Sequence, residues 1–105
     1  MKKAIFIDSQ NQIIKEIAID DDFKEIQRLV GGYFDAVKLS CGNILWVNDE
    51  GLLQDKNYFF EIEERLLAGN GVILGDDKKG NSISTKLTVP EVVSRVRFRG
   101  LGVIK

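Results

Sequence analysis

The chain has 105 residues, 44% of them hydrophobic and 30% charged, with a net charge of −1; this is one globular domain's worth of sequence with no global field to draw it onto nucleic acid. It has no histidine and one cysteine, Cys41, which excludes an internal disulfide and removes the commonest general base, zinc ligand and nucleophile-activating partner. Acid/base work by carboxylates or lysine stays open, as does a hard-cation site of oxygen ligands.

No apolar run approaches the ~18 residues that a membrane span needs. The opening "MKKAIFIDSQ" has a short apolar run broken at Asp8, too brief for a signal-peptide core. The expected compartment is therefore the cytoplasm, with no membrane partner.

Residues 3–8, "KAIFID", read as a strand, 9–12 as a turn, and 13–19, "IIKEIAI", as an alternating strand; together they predict a hairpin. "DDD" at 20–22 opens a helix, with Asp20 or Asp21 placed to accept from its first-turn N–H groups. Phe23, Ile26, Leu29 and Val30 form its apolar stripe, and Gly31-Gly32 ends it. Residues 33–39 alternate as a strand. "SCGN" at 40–43 turns, with Gly42 and Asn43 expected at positive φ. "ILWV" at 44–47 predicts a central strand covered on both faces, and "NDEG" at 48–51 a further turn.

Residues 57–68, "NYFFEIEERLLA", fit a helix capped by Asn57, with Phe59, Ile62 and Leu66 on one face and Gly69-Asn70-Gly71 as its stop. A strand is the alternative for the first half, because Tyr58, Phe59 and Phe60 are strand formers. "GVILG" at 71–75 predicts a short buried strand. "DDKKGNS" at 76–82 reads as a polar loop and the best candidate for disorder, and "ISTKL" at 83–87 as an edge strand. Thr88 and Glu91 are spaced as a capping box with Pro90 in the first turn, and Val89, Val92, Val93 and Val96 make that helix's stripe. "GLGVIK" at 100–105 either closes the sheet or lies free. The expected fold is a single α+β domain with a mainly antiparallel sheet and two to three helices, in the order ββαββαβ plus a C-terminal helix. Residues 1–76 form its body, and 77–105 a loop-and-helix extension packed on it.

Charge is uneven along the chain. Residues 1–53 hold 6 basic and 9 acidic side chains, residues 54–105 hold 9 and 7. Arg95, Arg97 and Arg99 alternate with Val96 and Phe98; on a strand they line one face, a grip for phosphate, whereas on a helix they scatter as a polar face. Tyr33 and Tyr58 stand at element starts, where a phenol reaches water or a ligand. Asp49-Glu50 and Asp76-Asp77 are acid pairs able to hold Mg²⁺ or act as a base, though acids in turns are usually just solvated. "GNGVILG" at 69–75 is neither a Walker loop nor a dinucleotide fingerprint. Trp46 reads as core, and Cys41 as an unactivated thiol at a hairpin tip. No cofactor is expected.

Several blocks stand in a familiar order: "IFID", "RLVGGY" at 28–33, "AVKL" at 36–39, "NILWVNDEGLL" at 43–53 and "GVILGD" at 71–76. Over residues 3–76 they resemble a small family of uncharacterised domains encoded largely by phages, plasmids and other mobile elements. The resemblance implies a context, not an activity, and carries over no catalytic residue. Small proteins of that kind act by binding: they block a host protein such as a defence nuclease, or sequester a nucleotide signal. The expected function is thus a non-catalytic binding protein antagonising a host protein, in the host cytoplasm. The first alternative is a binder of a phosphorylated or cyclic nucleotide, with Arg95, Arg97 and Arg99 on phosphate and Tyr33 or Tyr58 on the base. The next is a carboxylate- or Mg-dependent enzyme using Asp49, Glu50, Asp76 and Asp77. Self-association is left open.

Overall fold

A computed structural model of the chain describes residues 1–20, 23–32, 34–48, 56–79 and 81–103. Strands β1 (Lys2–Asp8) and β2 (Ile13–Ile19) pair as the expected hairpin. The Asp8 carboxylate organises its turn by accepting from the backbone N–H and side-chain amide of Asn11, at 3.1 and 2.8 Å. Helix α1 (Phe23–Val30) buries Ile26 and Val30. At its entry Glu25 reaches back from the first turn to accept from the Asp20 N–H. Asp21 and Asp22 lie outside the described residues. Gly31 and Gly32, at φ 87° and 154°, end the helix and donate to the Gln27 carbonyl. The carbonyls of Leu29 and Val30 accept from the amides of Asn70 and Asn48, so two later segments satisfy the orphan acceptors of the helix end.

Strands β3 (Phe34–Leu39) and β4 (Asn43–Asn48) flank a single 3-10 turn, Ser40–Gly42. Gly42 alone takes positive φ in that turn; Asn43 is extended, at φ −113°, and begins β4. The predicted turn at 48–51 falls, beyond Asn48, outside the described residues.

The predicted helix at 57–68 is not formed. Its sequence makes two antiparallel strands, β5 (Lys56–Ile62) and β6 (Arg65–Ala68). Burial decides the matter: Phe60 and Ile62 are buried and Glu61 less so, a period of two, while Leu66 from the supposed helical stripe is half exposed. Asn57 is a strand residue, not a cap. Strand β7 (Gly71–Asp76) is the buried strand expected, and the predicted edge strand shrinks to β8 (Ser82–Ile83). Between them the polar stretch is built around Asp77, which accepts from the N–H groups of Lys79 and Asn81 and from the Asn81 amide.

Helix α2 (Val89–Arg95) opens with the predicted capping box: Thr88 Oγ1 accepts from the Glu91 N–H, and the Glu91 carboxylate accepts from the Thr88 N–H. Val92 is buried and Val93 half exposed. The stripe stops short of Val96, which begins β9 (Val96–Val103). The C-terminal stretch therefore closes a sheet, a second one.

The first sheet runs β2-β1-β7-β4-β3, with β8 against the end of β7; the second runs β6-β5-β9. All these pairings are antiparallel. One face of the first sheet carries α1 over Ala4, Phe6, Val72 and Leu74. The other face carries the second sheet and α2, joined through Ile5, Leu45, Ile73, Phe60, Ile62 and Val92. The fold is thus a three-layer α+β domain, and no helix among the described residues is long and apolar enough to cross a membrane.

Two buried hydroxyls stitch these parts together. Ser9, in the first turn, donates to the carbonyls of Tyr58 in β5 and of Gly69 just after β6. Thr85 donates to Asn43 Oδ1 at 2.7 Å and accepts from the Leu87 N–H at 3.2 Å, aligning the run into α2. Thr85→Val keeps the shape and removes both bonds, so Leu87 loses its acceptor in a buried place. We expect a loss of about 1–3 kcal/mol, read as a fall in Tm of roughly 5 °C or more; an unchanged Tm would mean that the pair is not structural.

Candidate functional site

Where β5 ends and β9 begins, Ile62 pairs with Val96 and Glu61 with Arg97. Immediately after Ile62 the chain turns through Glu63-Glu64; immediately before Val96, α2 ends at Arg95. These junctions enclose an open cleft of about 240 Å³ lined by Glu61, Ile62, Glu63, Glu64, Arg95 and Arg97. Strand alternation sends Val96 and Phe98 toward the core, leaving Arg97 and Arg99 exposed.

The predicted arginines are thus divided. Arg95, half-buried, and Arg97 share the cleft. Arg99 occupies the irregular position where the β5–β9 register shifts, and its Nε donates to Glu61 Oε1 at 2.7 Å. That hydrogen bond first, and the Glu61 charge second, hold the guanidinium above its ordinary pKa. Such an exposed pair adds little to stability, but it commits both groups. Tyr58 lies elsewhere. It follows the same alternation as Phe60 and Ile62 toward the core side of β5, and at ~3.3 Å per residue it is about 13 Å along the strand from Ile62. Tyr33 lies outside the described residues.

Glutamates 61, 63 and 64 were hidden in the sequence by the helix expected there. Their turn also breaks the usual rule. A two-residue hairpin loop with positive φ at both positions favours Asn-Gly, yet here Glu63 and Glu64 sit at φ 47° and 66°. Each such non-glycine residue costs of order 1 kcal/mol. Glu63 is held in place from the first sheet: its carboxylate accepts from the Ser40 N–H and from Ser40 Oγ, each at 2.9 Å. Among the described residues, the side chains of Glu64, Arg95 and Arg97 have no hydrogen bond or ion pair.

The acid pairs fare differently. Asp76 and Asp77 each serve their own turn, Asp76 accepting from the Lys78 N–H; Asp49 and Glu50 lie outside the described residues. Among the described residues no group of three or more acidic or cysteine side chains stands together as a metal site. A second cleft, of about 380 Å³, is lined by Asp76, Lys78, Ser84 and Lys86 beside β8. Trp46 packs edge-on to Phe34, ring centroids 5.2 Å apart, on the α1 side of the first sheet. The side chain of Cys41 lies outside the described residues.

Fold and site together define a small three-layer α+β domain whose outer sheet carries a cleft of mixed charge. The chain belongs to the family described as a domain of unknown function (DUF3846), which it matches over residues 1–95; that span takes in both helices and strands β1 to β8. No curated protein and no solved structure matches it.

Two outcomes test this geometry. Glu64→Gly relieves the left-handed backbone, and we expect a gain of about 1 kcal/mol and a Tm rise of roughly 4 °C or more; a fall would show that the Glu64 side chain supports the fold. Asp77 is held below its ordinary carboxylate pKa, chiefly by the Asn81 amide and then by the N–H groups of Lys79 and Asn81. A depressed folded-state value contributes stability above the unfolded value that is lost as pH falls through the folded one. The Tm advantage of the native chain over Asp77→Asn should therefore be present near neutral pH and shrink on acidification below the ordinary aspartate range. A difference independent of pH would refute the charge-based account.

Proposed function

We propose that the chain is a non-catalytic binding protein acting on a protein partner. The observation that carries this reading is the interleaving of Arg95 and Arg97 with Glu61, Glu63 and Glu64 around one open cleft. Alternating charges of both signs suit a protein surface, where complementarity fixes register and rejects wrong partners. A nucleotide site instead gathers cations around phosphate. The mobile-element context implied by the family resemblance makes a host protein, a defence protein foremost, the expected target, so that the domain acts as an antagonist.

A second reading has one observation in its favour. Arg95 and Arg97 reach the same cleft, the arrangement that a phosphorylated or cyclic nucleotide would need. Against it, Arg99 is bound to Glu61, and Tyr58 lies on the other side of β5, too far along it to stack on a base held there.

The tagged full chain, cross-linked and recovered from several host strains, should enrich one host protein roughly tenfold over an Arg97→Glu chain. Clean recoveries from every host would count against the antagonist. A thermal shift with a cyclic dinucleotide or ADP-ribose that Arg97→Ala abolishes would transfer the assignment to the nucleotide reading.

A further inference from the structure

We infer that the cleft between α2 and the β5–β6 turn recognises a partner segment in which an acidic side chain neighbours a basic one. Arg95 and Arg97 take the carboxylate and Glu64 takes the cation. This rests on the binding-protein reading and names the chemistry of its partner.

Of the charged groups at the site, three are already employed within the fold. Glu61 holds Arg99, and Glu63 holds the Ser40 N–H and hydroxyl. That leaves Arg95, Arg97 and Glu64, without partners among the described residues and lining one opening. Two guanidinium groups at one opening suit a carboxylate, whose two oxygens match their forked donors. With Glu61 neutralised by Arg99, a phosphate bearing two charges would still face Glu63 and Glu64 beside the two arginines, and it would meet more like-charge repulsion than a singly charged carboxylate. A volume of about 240 Å³ lies below the ~300–1,000 Å³ usual for a small-molecule pocket and suits a pair of side chains better than a whole nucleotide.

The strained turn supports the same assignment. Both turn residues break the local rule for a primed hairpin loop, and such breaks concentrate where side chains are used. Glu63 is used to tie the turn to Ser40. The tie fixes the backbone of its neighbour, so Glu64 is presented at the rim with less backbone freedom left to lose on binding, while its side chain stays free to reach a cation.

The test is an NMR titration of the full ¹⁵N-labelled chain at low salt, following the arginine Nε–H signals and the Glu64 amide. Three probes are compared: a blocked peptide of alternating glutamate and lysine, a blocked all-glutamate peptide of equal length, and ADP. The alternating peptide should shift Glu64, Arg95 and Arg97 and bind several-fold more tightly than the other two. Arg97→Ala, and separately Glu64→Gln, which leaves the backbone as it is, should each weaken it about tenfold. Tighter binding of ADP or of the all-glutamate peptide overturns the inference, as does an absence of shifts or shifts confined to other surfaces. A host protein captured equally by the native and Glu64→Gln chains would leave the binding reading standing and remove the cleft from it. Peptide binding as expected, with no host protein captured, would support the cleft chemistry and sink the antagonist instead.

Discussion

Strand β7 has no side to spare. β1 and β8 pair along one edge and β4 along the other, and Gly71 to Gly75 are buried on both faces. A strand so placed has to be apolar throughout and has to be covered twice. "GVILG" meets the first demand, and the rest of the chain is arranged to meet the second. Its glycines set the tolerances. A Cβ on Gly75 would stand 2.8 Å from the Ser84 carbonyl oxygen, so β8 approaches only because that side chain is missing; one on Gly71 would meet Leu45 at 2.7 Å, where the second sheet presses in with Phe60.

The two coverings differ in kind. Helix α1 crosses one face and is fastened at its C-terminal end by Asn48 and Asn70, from the segments on either side of the β5–β6 hairpin. The other face is covered by that hairpin together with β9 and α2. A three-stranded sheet laid on a larger one has an inner face of Phe60, Ile62 and Phe98, and alternation turns the charged Glu61 and Arg97 away from it. The cleft belongs to that outer layer, and α2 delivers Arg95 to it because the helix stops where β9 must start.

Much of the first sheet was legible in the sequence because each element announced itself twice, by period and by punctuation. β1 and β2 alternate and flank a polar turn; α1 has a stripe and ends at paired glycines; α2 has its capping box and Pro90. The β5–β6 hairpin was illegible because its punctuation is wrong. Glu63-Glu64 reads as helix interior, not as a turn, so Ile62 falls into a helical stripe with Phe59 and Leu66 and its period-two partner Phe60 is passed over. That error concealed the site as well. Arg95, Arg97 and Arg99 stood out as an alternating run, but the glutamates that change their meaning became visible only once β5 was seen to pair with β9. The short β8 was overestimated for a related reason: after Ser84 the chain is held by the Thr85 N–H bond to Lys3 and by the Thr85 side chain, not by a ladder.

The outer layer can be altered more freely than the central sheet, and the reason is where its attachments lie. Beyond apolar packing, Ser9 and the Glu63–Ser40 contact join the second sheet to the first through turns. Neither involves β7. Charges on β5 and β9 that alternate away from the inner face, and at Glu64 in the β5–β6 turn, can therefore change without disturbing the layer that determines the fold, whereas Glu63 is itself one of the attachments. The division is physical: the inner face of the second sheet does the packing, and the strain of Glu63 and Glu64 is carried by a hairpin at the surface, not by the core.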